Sequence, residues 1–243
     1  MISILIIVVA LIAVGLLAYL IVNFIPSKLK PLVSVILWII IGYLGYNVYS
    51  SIMKPINFNK QKKVKYAKVI ENLKIIRDAE LAYNEVNRKF TSNKNGLITF
   101  IDTAQFALTE VKNIVVTEQR GRITVDVEKR VVDTIGFESV KKSFEGRDYK
   151  NMFKIPGADA EFELKADVIE KVQGVKTSVF EARVAKDVIL KGMDKDLINT
   201  EKEALGGVNI PGEYITVGSL NEVNSNGNWP PFYDGKKESS DKK

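Results

Sequence analysis

Two long uncharged runs dominate the pattern of hydrophobic and polar positions at the start of the chain. No Asp, Glu, Lys or Arg occurs from Ile2 to Ile25 or from Leu32 to Met53. A helix rises about 1.5 Å per residue, so about 20 apolar residues match the roughly 30 Å hydrocarbon core of a bilayer. The pattern therefore predicts two transmembrane helices, a helical hairpin within residues 1–54, with the lipid bilayer as its first partner.

Two other interpretations of these runs fit less well. A helix inside a soluble core can be apolar on every side, but two such helices would need a larger surrounding shell than the remaining chain can form. A cleavable signal peptide has a basic segment before its apolar run and a small-residue cleavage site after it. The run Ile2–Ile25 has neither flanking feature, so we expect both runs to remain as spans.

The second run carries aromatic and small residues at positions suited to membrane contacts. Tyrosine and tryptophan rings favour the membrane interface, and small residues let another helix approach closely. The predicted membrane or partner contacts are Trp38, Gly42, Tyr43, Gly45 and Tyr46. Neither run holds an ionisable acid or base, which disfavours an ion-conducting role.

A helical period of apolar positions follows the second run. The stripe consists of Val64, Ala67, Ile70, Leu73, Ile76, Ala79, Tyr83 and Val86. It predicts an amphipathic helix from about Lys60 to Arg88 that packs along a domain, with charge pairs such as Arg77 with Glu80 on its exposed side. We expect Pro55 to break the helix of the second span, and residues Asn57–Asn59 to form a short bridge.

Strand patterns dominate the second half of the chain. A short helix, Leu97–Thr103, precedes alternating β-branched residues that predict two antiparallel pairs and a last short strand. The predicted strands are Val111–Thr117, Ile123–Glu128, Ala160–Ile169, Val175–Ala185 and Tyr214–Gly218, with Phe162, Leu164, Phe180 and Ala182 available for burial. Asp194 is placed to cap a helix that runs to Leu205.

These elements give an α+β fold class with three parts. Residues 1–54 form the transmembrane hairpin, and residues 55–223 form an extramembrane domain with the long amphipathic helix and a mainly antiparallel sheet. Residues 224–243 are rich in Asn, Ser, Gly, Pro and Lys, which predicts a flexible polar tail.

Composition removes many kinds of chemistry. The chain has no cysteine and no histidine, which excludes Ser-His-Asp and Cys-His nucleophilic systems and the common zinc sites. Gly174–Thr177 resembles the end of a phosphate-binding loop but lacks its glycine spacing. We expect no catalytic residues, no cofactor and no metal site. Carboxylate pairs stay open, because the 29 acidic residues offer many combinations.

The net charge of +6 is spread among acids without a basic stripe, so nucleic acid is not an expected partner. Charge near the membrane gives no single orientation. Lys28 and Lys30 lie between the two runs, whereas six lysines from Lys54 to Lys68 follow the second. Counting positive charges would place the C-terminal domain in the cytoplasm, but that rule weakens for long translocated domains.

Six motifs along the chain can be compared with a known family: Tyr66–Tyr83, Arg88–Thr91, Leu97–Ile101, Pro55–Lys60, Val179–Arg183 and Gly227–Trp229. They resemble motifs of a family of uncharacterised membrane-anchored proteins of the Bacteroidota. The motif residues that stand out are Arg77, Asp78, Ala79, Tyr83, Phe90 and Trp229. Members of that family have basic residues before one span, the place that Lys28 and Lys30 take here. The resemblance implies an inner-membrane protein with a periplasmic C-terminal domain.

The order of elements gives a second resemblance, carried by Ala79–Tyr83, Phe90-Thr91 and Leu97–Ile101. It is similar to the order in type II secretion major pseudopilins and type IV pilins, although the chain lacks a Gly-Phe cleavage site and an early acidic residue in either run. It implies a pilin-like, non-enzymatic structural subunit that assembles with itself or with other envelope membrane proteins. The alternative is a membrane-tethered enzyme or ligand-binding domain with a carboxylate-based site. Trp229 would dock on the domain or meet a partner.

Overall fold

The computed structural model describes residues 12, 14–16, 18, 19, 23, 26, 29–120, 123–170 and 174–235. The described residues are 48% helical and 27% strand, and their sheets are antiparallel. The predicted mixture of helices and antiparallel sheets is therefore confirmed. The chain divides into two compact units, Met1–Asn57 and Phe58–Lys243.

Helix α1 is one continuous helix, Lys30–Asn87, with Pro55 inside it. The predicted break at Pro55 and the bridge Asn57–Asn59 are therefore wrong. A proline removes the single hydrogen bond that its amide would donate to the residue four positions earlier. That one loss does not end this helix, because the turns on either side keep their own hydrogen bonds. The predicted boundary after residue 54 thus lies within α1.

The first unit contains the N-terminal part of α1. Most of its large apolar side chains are exposed, from 41% at Leu37 to 71% at Trp38. By length and composition, α1 is able to cross a membrane. The other predicted span, Ile2–Ile25, lies largely outside the described residues, and so does the hairpin that it would complete.

The second unit holds the remaining elements. Its further helices are α2 (Lys94–Thr103), α3 (Lys186–Ile189) and α4 (Lys195–Lys202), and its strands are β1 (Gln105–Arg120), β2 (Ile123–Ser139), β3 (Glu163–Glu170), β4 (Lys176–Ala185) and β5 (Tyr214–Gly218). Strands β3, β4 and β5 form one antiparallel sheet in that order, and β1 and β2 form a separate two-stranded sheet. Asp194 caps α4 as predicted, but the helix ends at Lys202 rather than Leu205.

The C-terminal part of α1 and the three-stranded sheet share one core. The predicted sheet residues Phe162, Leu164, Phe180 and Ala182 are all buried, and so are Ile70, Leu73, Ile76 and Ala79 of the predicted helix stripe. The predicted stripe is wrong at Val64, Ala67 and Val86, which are exposed. In the first turns the buried residues are instead Phe58, Lys62 and Tyr66, four positions apart. Burial of Lys62 requires a partner for its charge, which the sequence pattern did not supply.

The two-stranded sheet is a long hairpin, which we call the β1–β2 hairpin. At about 3.4 Å per residue, its strands extend about 50 Å. Their ends join the core where the Val140 amide donates to the Ala104 carbonyl at 3.0 Å. None of the described side chains of positions 105–119 and 125–139 is buried. The predicted hairpin is confirmed, but both of its strands are longer than the alternating patterns indicated.

The prediction of a flexible tail from residue 224 is wrong for residues 224–235. Gly227 forms a β-bridge with Val217, and the Asn228 side chain donates to the Tyr214 carbonyl at 2.9 Å. Trp229 is only 6% exposed. A Cβ atom on Gly227 would lie 2.3 Å from the Trp229 ring, so glycine permits this close packing. Residues 236–243 lie outside the described residues.

Candidate functional site

Three charged side chains meet inside the second unit, and we call Lys62, Lys186 and Glu201 the buried ion cluster. The Lys62 ammonium donates to Glu201 Oε2 at 2.7 Å and to Asn209 Oδ1 at 3.2 Å. The side chains of Lys62 and Glu201 are 7% and 5% exposed. A buried charge is tolerated when it is paired and hydrogen-bonded, and this pair meets both conditions.

Lys186 is the most deeply buried member of the cluster, with no exposed surface. It begins α3 directly after β4, and its ammonium donates to the carbonyls of Glu201 and Ile210 at 2.6 and 2.7 Å. Its Nζ lies 3.7 Å from Glu201 Oε1. Burial lowers the pKa of Lys186, and the Glu201 carboxylate opposes that change. Lys186 thus ties the end of α4 to the segment before β5.

A cavity of about 290 Å³ opens beside this cluster. Lys62, Tyr66, Glu201, Asn209 and Tyr233 are among the residues that line it. The Tyr66 hydroxyl and Glu201 Oε1 are buried without a hydrogen-bond partner. Burial, followed by the Glu201 charge, raises the pKa of Tyr66, and the same two causes raise the pKa of Tyr233 to about 12. Both phenols are therefore neutral at physiological pH.

This arrangement suits polar recognition better than covalent catalysis. Two N–H groups of Lys186 are used on backbone carbonyls, and Lys62 is held by Glu201 and Asn209. The buried polar atoms here that make no hydrogen bond are the Tyr66 hydroxyl and Glu201 Oε1, and Oε1 faces the Lys186 ammonium at 3.7 Å. A nucleophile or general base near pH 7 needs a pKa adjusted toward that value. The pKa values of both phenols are shifted away from it. The pKa of Lys186 is lowered, but its ammonium is held by two backbone carbonyls. Among the described residues, no cluster of acidic side chains is arranged to hold a metal ion.

A second buried acid lies in α1, away from the cavity. Glu80 has no exposed surface, and its Oε2 accepts a hydrogen bond from the Thr91 amide at 3.1 Å. Burial raises the pKa of Glu80 to about 8, although the Thr91 bond acts in the opposite direction. The hydrogen bond from Thr91 to Glu80 therefore attaches the segment after α1 to the helix. The predicted exposed pair of Arg77 with Glu80 does not form.

Most of the predicted motif residues have structural contacts. Asp78 accepts from Arg77 Nε at 3.2 Å and from Arg147 Nη2 at 2.8 Å. The ring of Tyr83 lies 5.0 Å from that of Phe100 in an edge-on arrangement. These contacts hold α1 against α2 and the segment after β2. Such packing and ion-pair contacts are a structural role.

The remaining motif residues are packed into the second unit. Ala79 is fully buried. The Phe90 ring lies 4.7 Å from the Phe180 ring, and the Phe90 amide donates to Ser178 Oγ at 3.0 Å. Trp229 docks on the domain, one of its two predicted roles, and its Nε1 donates to Asp234 Oδ1 at 3.1 Å. The structure does not bring these residues together at the cavity.

The predicted membrane contacts lie on the exposed part of α1. Trp38, Tyr43 and Tyr46 are 71%, 66% and 68% exposed. A Cβ atom placed on Gly42 or Gly45 would meet nothing within 4 Å. Within the described part of the chain, these positions are therefore accessible to another molecule.

Sequence reasoning missed the buried ion cluster. Lys62 and Glu201 are 139 positions apart, and neither stands in a local motif. One signal was available, since Lys62 lies four positions from both Phe58 and Tyr66 in the helical period. A lysine in such a position is more often on a solvated face.

Comparison of the chain with known protein families, with characterised proteins and with solved structures finds no match.

Proposed function

We propose that the protein is a non-enzymatic, membrane-anchored structural subunit of a cell-envelope assembly. The observation that carries the proposal is the uncharged segment 32–53 of α1, most of whose large apolar side chains are 41% to 71% exposed. Contiguous apolar surface of this length marks a membrane or protein interaction site. A bilayer accepts such a helix because its backbone hydrogen bonds are satisfied internally.

The second unit supports an assembly role. The β1–β2 hairpin exposes large apolar side chains, among them Val115, Val132, Ile135 and Phe137, at 59% to 68%. An isolated two-stranded hairpin is at best marginally stable in water. A partner that covers this hairpin would remove apolar surface from water and complete its backbone pairing, which is the behaviour expected of a subunit.

The pilin-like part of the proposal rests on the order of elements. A continuous helix leads from an apolar segment into a packed segment, and a short helix and antiparallel sheets follow it. This order is similar to that of pilins and major pseudopilins. We place the protein in the inner membrane with its second unit in the periplasm, and we propose Gly42 and Gly45 as a contact for another membrane helix.

Fractionation of the full-length protein tests the proposal. It should stay in the membrane pellet after alkaline carbonate washing, and purification in mild detergent should retain other envelope proteins or further copies. Release into the aqueous fraction, or a monomer without partners, would contradict the proposal. Protease digestion of a C-terminal tag in intact cells and spheroplasts tests the periplasmic placement.

A second candidate function is the binding of a small polar molecule in the cavity. The unpartnered Tyr66 hydroxyl and Glu201 Oε1 favour it, since a ligand that donates one hydrogen bond and accepts another would satisfy both. Native mass spectrometry of protein purified from membranes should then detect a retained molecule that Tyr66→Phe loses. Retention of the same mass by Tyr66→Phe, or no added mass in the natural protein, would reject this function.

A further inference from the structure

The outer edge of β1 is an unpaired strand edge within the described part of the chain, because β1 has only β2 as a neighbour in its sheet. Unpaired edges of long strands readily accept another strand. The edge is regular from Thr109 to the end of the strand, with one residue opposite one throughout. It can therefore form a continuous ladder with a suitable strand.

We propose that β1 pairs antiparallel with β1 of a second copy of this chain, with Val115 opposite its counterpart on the two-fold axis. The proposal rests on the assembly function above and names its partner. The four strands would then lie in the order β2, β1, β1, β2. Such an interface is isologous, which is the commonest arrangement in soluble oligomers.

The sequence of β1 is self-complementary in this register. Lys112 lies opposite Glu118 of the second copy, and the symmetry gives this pair twice. Ile114 lies opposite Val116, and Asn113 lies opposite Thr117. Directly opposite residues of an antiparallel pair interact on the same face of a sheet, and opposite charges there are favourable.

The partners that these side chains already have do not prevent the new contacts. Lys112 forms an ion pair with Glu110 of its own strand at 2.9 Å, in which both side chains are about half exposed. Exposed pairs of this kind contribute little, so the ammonium can exchange or share partners. A carboxylate such as that of Glu118 has lone pairs for more than one donor.

Neighbouring registers are worse. Shifting the axis to Ile114 would place Glu110 opposite Glu118, and shifting it to Val116 would place Ile114 opposite Glu118. A two-fold axis between two residues would place a residue whose amide and carbonyl point toward the second copy opposite a residue whose amide and carbonyl point away from it. An antiparallel ladder does not allow this arrangement without a bulge. The charge pattern of β1 therefore selects one register for pairing with itself.

The edge of β2 is less suited to the same contact. Ile135 is an extra residue in β2, because Leu108 pairs with Gly136 while Thr109 pairs with Thr134. Such a bulge bends a strand and protects its edge from pairing.

A cysteine cross-link tests the proposal directly, since the chain contains no cysteine. In the proposed register, the Cα atoms at position 115 lie about 4.5 to 5.5 Å apart, within the range that a disulfide spans. Val115→Cys in the full-length protein should give a covalent dimer under mild oxidation in native membranes. Val132→Cys is the matched control, since the two positions are 63% and 59% exposed on the same hairpin. In that register the control positions would be three strand spacings apart across the sheet, about 14 Å, and eight residues apart along the strands, about 27 Å, so about 30 Å in all, and they should not cross-link.

Charge substitutions then test the register. Lys112→Glu in the Val115→Cys background places carboxylates opposite each other twice and should lower the cross-linked fraction roughly tenfold. The double substitution Lys112→Glu with Glu118→Lys restores opposite charges and should restore the cross-link. Lys129→Glu, on β2, should leave it unchanged.

Equal cross-linking at positions 115 and 132 would indicate non-specific association and overturn the inference, as would no cross-link at position 115. The same samples separate this result from the proposed function. If the protein stays membrane-bound with other proteins but does not cross-link, only the β1 pairing is wrong. If carbonate releases the protein, the anchored-subunit function fails, and the cross-link is still measured on the released protein.

Discussion

The two parts of helix α1 show how differently one continuous helix can use its side chains. In the part that ends at Asn57, Leu44 is 56% exposed among uncharged neighbours; in the part that begins at Phe58, even Lys62 and Glu80 are buried. The first part carries exposed apolar side chains, and the second part has mixed composition with one packed face. Composition alone would predict that the apolar first part is buried within the protein and that the charged second part is exposed. The structure shows the opposite, so composition does not reveal which part packs against the rest of the domain.

The largest expected effect concerns the polar members of the packed part. Glu201→Ala would leave the ammonium groups of Lys62 and Lys186 buried without their carboxylate, and removing one partner of a buried ion pair costs about 3 to 5 kcal/mol. We expect the free energy of unfolding to fall by about 4 kcal/mol, measured by hydrogen exchange of the β4 amides in the full-length protein. Glu203→Ala, at an exposed position, is the control and should change it by less than about 0.5 kcal/mol. An equal, small effect of both substitutions would show that the cluster does not stabilise the fold.

A second prediction compares the two parts of α1 at matched positions. Leu44 and Val64 are 56% and 57% exposed in the protein, so Leu44→Cys and Val64→Cys differ mainly in their surroundings. A charge at the centre of a membrane helix costs about 2.5 to 3.5 kcal/mol, a factor of roughly a hundred in thiolate population. A charged maleimide added to membrane fragments, which are accessible from both sides, should therefore label position 64 about a hundred times faster than position 44.

Detergent solubilisation supplies the control for that comparison. A detergent micelle still covers an apolar helix, so position 44 should remain protected there and become reactive only in denaturant. Similar labelling rates at both positions in membranes would mean that lipid does not cover segment 32–53.

The buried acid of α1 gives a prediction with a pH dependence. Folding raises the pKa of Glu80 from 4.5 to about 8. A raised pKa in the folded state favours folding at low pH, and that stability is lost as pH rises from 4.5 to about 8. Glu80→Gln keeps an acceptor for the Thr91 amide without the charge. It should stabilise the fold relative to the natural protein by about 3 kcal/mol at pH 7 and by little at pH 4.

Hydrogen exchange of the β4 amides between pH 5 and 8 measures this difference. The gap between Glu80→Gln and the natural protein should widen with pH and level off above pH 8. A constant gap would mean that Glu80 is not the titrating group. Glu85→Gln, at an exposed position of the same helix, is the matched control.

Patterns among neighbouring residues were enough to predict the features of the fold that depend on neighbouring residues alone, such as strand faces and helix caps. Residues Phe162, Leu164, Phe180 and Ala182 alternate along β3 and β4 and are buried as expected, because side chains on a strand alternate between two faces. Asp194 accepts amide bonds at the start of α4, as its capping chemistry predicts.

Features that depend on distant partners were not predicted from the sequence. The burial of Lys62 depends on Glu201, and Glu201 has no special local pattern. The length of the β1–β2 hairpin depends on backbone pairing between residues such as Glu110 and Asp133, which lie outside the predicted strands. The docking of Trp229 depends on Gly227, which leaves room for its ring.

The smallest expected effect concerns how the packed part of α1 holds the chain after β5. The Lys74 ammonium lies 3.0 Å from Asp234 Oδ1 and also donates to the Tyr233 carbonyl. The two side chains are 22% and 50% exposed, and a pair that is partly solvated contributes at most about 1 kcal/mol. Lys74→Met keeps most of the apolar stem, so it should loosen only the segment 226–235.

Limited proteolysis should cleave that segment up to about fivefold faster, while exchange of the β4 amides stays the same. Lys68→Met, at an exposed position of α1, should alter neither. Faster β4 exchange in Lys74→Met would show that the segment around Trp229 is part of the folding core, because its release would then destabilise the whole unit.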